Sequence, residues 1–120
     1  MPFNYLLTNL LADVPGALGA IFLDDEGEAI EWVTRHGEPY EIKVEGAFHS
    51  VFKRRLAAPL EAAGGGTIRT YELTGERLIA LTRVLPEGYY VVLVMERGGP
   101  TARARYRLER VARILEREIG

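Results

Sequence analysis

The chain has 120 residues, a near-neutral formal charge of −2, 48 % hydrophobic residues and no cysteine. That length suits one domain with a real core, and it predicts a single domain over 1–120. Disulfides, thiol nucleophiles and thiolate metal sites are excluded by the lack of cysteine. No basic leader precedes an apolar run and no run approaches ~20 residues, so neither a signal peptide nor stable membrane insertion is expected and the default location is cytoplasmic. Charge is uneven, at −7 over 1–46, +1 over 47–96 and +4 over 97–120.

Phe3, Leu6, Leu7, Leu10 and Leu11 recur at helical spacing, which predicts an amphipathic first helix ended by Pro15-Gly16. "ALGAIFL" reads as a buried strand and "EAIEWV" as a second, joined in a hairpin whose turn uses Gly27 for a positive φ. After the loop "RHGEPYE", a helix is expected from about Tyr40 or Val44 to Ala63, with Pro59 shortening its last turn. Val44, Phe48, Val51, Phe52, Leu56 and Ala63 cover an arc wider than the roughly 100° needed by one sheet. A second copy of this helix, or the domain's own loops, would cover the surplus.

Gly64-Gly65-Gly66 then reverses the chain. Three strands follow, "TIRTYEL", "RLIALTRV" and "YYVVLVM", separated by Thr74-Gly75 and Pro86-Glu87-Gly88. Thr101 is the expected N-cap of a final helix reaching Ile119. The order is helix-strand-strand-helix-strand-strand-strand-helix. This predicts an α/β fold, a three-layer sandwich around a five-stranded, mostly antiparallel sheet.

The chemistry is sparse. Gly16 and Gly19 follow a helix and precede a strand, the reverse of a phosphate-binding glycine loop, so no nucleotide cofactor is expected. Asp24, Asp25, Glu26 and Glu28 lack calcium-loop spacing and read as turn acids rather than metal ligands. His36 and His49 have no ligand-spaced partner, and Ser50 beside His49 does not face it. No catalytic, cofactor or metal residues are therefore assigned, and no enzyme is expected. On the last helix Ala104, Leu108, Val111, Ala112, Leu115 and Ile119 form one face. Arg103, Arg107, Arg110, Arg113 and Arg117 line the other with Tyr106. That stripe is either an electrostatic footprint for an acidic partner or a solvated face steadied by pairs such as Glu109 with Arg113. A net acidic protein without an aromatic stacking platform argues against nucleic acid.

The element order together with "LLADVPGALGAIFLDDEGEAIEWV" and the strand "YYVVLVM" before a closing helix resembles the Roadblock/dynein light chain family, over nearly the whole chain. The resemblance implies a homodimer that joins edge strands into one sheet while the middle helices pack together. By position it implicates Phe48, Val51, Phe52, Arg55 and Leu56 of the helix and Thr67, Ile68, Arg69, Thr70, Tyr71, Glu72 and Leu73 of the strand. It further implies a regulator or scaffold for a small Ras-like GTPase, with or without stimulation of hydrolysis. Carried over by position, His49, Ser50, Lys53, Arg54 and Ala57 would meet that partner. The alternative is a small-ligand sensor or assembly scaffold on a similar sheet, with no GTPase.

Overall fold

A computed structural model describes residues 3–35, 62–66 and 68–119. Helix α1 (Phe3–Asp13) is followed by strands β1 (Ala17–Leu23) and β2 (Ala29–Thr34), and later by β3 (Thr70–Thr74) and β4 (Leu78–Val84). A short 3-10 turn (Pro86–Gly88) leads to β5 (Tyr90–Glu96), and α2 (Thr101–Ile119) closes the fold. The five strands form one antiparallel sheet in the order β2-β1-β5-β4-β3, as the α/β reading requires. The helix expected from about Tyr40 or Val44 to Ala63 lies outside the described residues but for its end, where Ala62 is helical and Ala63 in a turn.

The sequence pattern explains the sheet's position in the molecule. Strands β1 and β5 are nearly continuous apolar runs because both of their faces are covered. Ala20, Phe22, Leu81, Val91 and Leu93 look toward α1 and α2. Ile21, Leu23, Ala80, Tyr90, Val92 and Val94 form a separate cluster on the opposite face and are just as buried. The leucines of α1 fall on one side at the expected spacing, and Leu6, Leu7, Leu10 and Leu11 are all buried. Burying a leucine fully contributes about 1.5–3 kcal/mol, so this stripe outweighs the helix's modest intrinsic propensity.

Two boundaries differ from the sequence expectation. The third strand begins at Thr70 rather than Thr67; Ile68 and Arg69 precede it, although the Arg69 carbonyl still accepts the Val84 N–H at 2.7 Å. Thr67 lies outside the described residues. Thr101 is the first helical residue of α2 rather than its cap, because the Pro100 carbonyl already accepts the Ala104 N–H at 3.0 Å.

The acidic stretch is a hairpin turn. One Asp24 carboxylate oxygen accepts the backbone N–H groups of Glu26 and Glu28, each at 2.9 Å, while Gly27 takes φ +86°. Gly99 carries a different constraint. A Cβ there would lie 2.7 Å from Met95 Cε and 3.2 Å from the Pro15 carbonyl oxygen, so a larger residue would make the Met95 side chain move and the backbone beside β1 give way slightly.

Candidate functional site

A sheet of five strands has two edges, and here they are built differently. On β2 the register slips between Phe22↔Glu31 and Leu23↔Ala29, which leaves Ile30 as an extra residue. Such a bulge twists an edge away from new pairing. The Arg35 N–H donates to the Leu18 carbonyl at 2.8 Å, so Val33 and Glu31 face β1 while the Trp32 N–H points outward. That outward N–H is capped by the neighbouring Glu31 carboxylate at 3.1 Å. This edge is blunted.

Strand β3 is not. Its register with β4 runs unbroken from Thr70↔Arg83 to Thr74↔Ile79. Val84 donates to Arg69 at 2.7 Å and Gly75 to Leu78 at 2.8 Å. The antiparallel alternation then assigns Arg69, Tyr71, Leu73 and Gly75 to the β4 side. The N–H and C=O groups of Thr70, Glu72 and Thr74 point away from the sheet, and all three residues are exposed. A short, flat, unbulged edge of this kind is a template for another strand.

The edge is also braced. The side chains of Thr70 and Glu72 fall on the helix side of the sheet, and the Glu72 carboxylate is gripped by the Arg105 guanidinium of α2, with Nη2 to Oε2 at 3.0 Å. This hydrogen bonding holds the Glu72 carboxyl below its ordinary range. Tyr71 lies on the opposite side, across from Thr82. Burial pushes its hydroxyl above the ordinary phenol range, partly offset by a hydrogen bond with the Thr82 side chain. Behind the edge, a cavity of about 170 Å³ lies between β3, β4 and α2, with Leu81, Leu108 and Arg105 among its walls.

The deepest charge in this region is Arg83, only 5 % exposed. Alternation along β4 puts it on the helix side, two residues beyond Leu81. Its Nε donates to Glu109 at 2.7 Å, its Nη2 meets Glu109 at 3.2 Å and Glu116 at 3.0 Å, and its Nη1 donates to the Val84 carbonyl. The sequence reading pairs Glu109 with Arg113, and that pair exists at 3.4 Å. Arg83 is nevertheless the principal partner, and the first cause of the lowered Glu109 carboxyl. Its signal in the sequence is an arginine on the inward beat of an apolar strand, with two acids seven residues apart on the last helix.

Of the residues assigned to a dimer interface, Ile68, Arg69, Thr70, Tyr71, Glu72 and Leu73 fall together on or beside this edge. Phe48, Val51, Phe52, Arg55, Leu56 and Thr67 lie outside the described residues, as do the partner-binding candidates His49, Ser50, Lys53, Arg54 and Ala57. Among the described residues, no helix is long and apolar enough to cross a membrane.

No protein-family model matches the sequence, and neither does any curated protein. Solved structures do. A Roadblock/LC7 domain from Streptomyces avermitilis superposes with a TM-score of 0.87 at 14 % identity, covering 97 % of this chain and 96 % of that one. The gliding protein MglB of Thermus thermophilus gives 0.86 at 18 % identity, over 96 % and 86 % of the two chains. An MglB with a tetrameric arrangement gives 0.87 at 19 % identity, over 96 % and 85 %. At these identities the likeness is one of fold, and the chain has the fold of Roadblock/LC7 domain proteins.

Proposed function

We propose that the chain is a single Roadblock-like domain that works as a cytoplasmic homodimer, a regulator or scaffold of a small Ras-like GTPase with no catalytic residues of its own. The observation that carries this reading is the open β3 edge. Outward amides of Thr70 and Glu72 sit on a flat strand, while the opposite edge is bulged and capped. Two β3 edges meeting about a two-fold axis would continue the sheet from one protomer into the next. The shared fold of MglB structures, one of them in a tetrameric arrangement, supports self-association.

The GTPase assignment rests on the fold and on the sequence resemblance. Lys53 and Arg54 carry adjacent positive charges on the segment the resemblance assigns to the partner, and a two-fold axis would double them. Ras-like switch regions are commonly acidic, so such a patch would steer association and make it salt-dependent. The deciding experiment is capture of the host's small GTPases, loaded with GDP or a GTP analogue, followed by a turnover assay. Preferential capture of one nucleotide state supports the regulator. Equal capture of both states, or none, leaves a scaffold or small-ligand sensor.

A further inference from the structure

The arginine stripe of α2 has two sides, and the structure separates them. Toward β3 and β4, Arg105 is paired with Glu72, and both Glu109 and Glu116 are drawn to Arg83. Those two acids would otherwise dilute the helix's positive charge. Toward α1 and outward, Arg103, Arg107, Arg110 and Arg117 remain, Arg113 being paired with Glu109 within the helix, while α1 carries Asp13 as its one acid. Asp13 does not satisfy them. Arg103 Nε is spent on the Asp13 backbone carbonyl at 2.6 Å, and Arg107 Nη1 stands 3.9 Å from the Asp13 carboxylate. Among the described residues, the buried Arg107 Nε has no hydrogen-bond acceptor.

These arginines border a groove between the two helices. It encloses about 170 Å³ and has a narrow apolar floor of Leu6, Val111 and the half-buried Ile114 above the fully buried Leu10, with Asn9, Asp13, Arg107 and Arg110 along it. Tyr5 on α1 and Tyr106 on α2 are 61 % and 60 % exposed. Tyr5 is one helical turn from Asn9 and Tyr106 one turn from Arg110, so both rings stand at the groove's margins. Exposed tyrosines and arginines around an apolar strip are the composition of protein-interaction hot spots.

We infer that the α1–α2 groove docks an acidic amphipathic helix of a partner protein, its apolar face on the Val111–Ile114 floor and the flanking Tyr5 and Tyr106 and its carboxylates on Arg107, Arg110 and Arg117. The floor favours a peptide over a bare polyanion, since it offers apolar contact that a phosphate backbone cannot use. The concavity favours a helix over a flat bilayer. This surface is on the helix side of the sheet and uses none of the residues assigned to the GTPase, so the inference stands or falls independently of that reading.

The test is fluorescence anisotropy on the intact protein with a labelled peptide of about 18 residues, carrying leucines at i, i+3, i+4 and i+7 and glutamates elsewhere. The control peptide replaces each glutamate by lysine. The acidic peptide should bind, the lysine peptide should not, and affinity should fall as salt rises. Arg110→Glu with Arg117→Glu, both exposed positions, should weaken binding at least about tenfold, and Tyr106→Ala should weaken it less. Circular dichroism and light scattering should match the parent protein. No binding, equal binding of the two peptides, or full affinity in the double variant would overturn the inference. So would retention of the protein by phosphatidylserine vesicles or a single-stranded oligonucleotide while the acidic peptide stays free.

Discussion

Single side chains hold the sheet to its last helix through charge, and their behaviour with pH follows. Arg83 keeps Glu109 below its ordinary value near 4.5. A carboxyl whose folded pKa is depressed stabilises the fold above its unfolded pKa and loses that contribution as pH falls through the folded one. Arg83→Met should therefore destabilise the protein at neutral pH by about 2 kcal/mol, below the roughly 3–5 kcal/mol of a fully buried broken pair because the two glutamates are one-third exposed and can rehydrate. Its stability should also fall less steeply than the parent's on acidification below about pH 4.5; urea titrations at several pH values read both effects. Tyr71 acts at the other end of the scale. Its raised pKa means the folded state holds the neutral phenol, so stability is intact below about pH 10 and declines as pH rises beyond it. Tyr71→Phe should flatten that alkaline decline in melts above pH 10, and an unchanged slope would refute the role.

At the scale of the element, β3 separates two functions between adjacent residues. The N–H of Thr70 points out of the sheet and that of Tyr71 into it, as the Val84–Arg69 and Gly75–Leu78 bonds dictate. Proline lacks an N–H, so its effect depends on which side loses the donor. Thr70→Pro should dissociate the proposed dimer while the protomer melts within a few degrees of the parent. Tyr71→Pro should break the β3–β4 ladder and destabilise the protomer itself. Light scattering and thermal melts on the two variants distinguish these outcomes, and a dimeric Thr70→Pro would move the interface off this edge. The Arg105–Glu72 brace belongs to the same element, tying the edge strand to α2 on its helix side.

For the whole molecule, the expected assembly is a dimer at tens of micromolar, read by light scattering. Lys53→Glu with Arg54→Glu should abolish GTPase capture and leave that dimer intact, because the two charges are assigned to the partner and not to the edge strand. Loss of the dimer in that variant would instead assign the charges to self-association.

Local rules carried much of this protein in the sequence itself. Helical spacing of Phe3 to Leu11, the glycine turns and the unbroken apolar runs "ALGAIFL" and "YYVVLVM" settle the elements. A strand that must be buried on both faces can be neither alternating nor short of branched and aromatic residues. The acidic knot was equally legible as a turn, since one aspartate and one glycine suffice to build it. Tertiary structure decided what periodicity leaves open. Strand order, the bulge at Ile30 and the outward N–H of Thr70 depend on register, which is set between strands far apart in the chain. Likewise the arginine stripe reads as uniform along the helix. Only packing against β3 and α1 gives Arg105 a carboxylate in Glu72 and brings Arg107 beside Asp13, because charge pairing is a matter of distance in space.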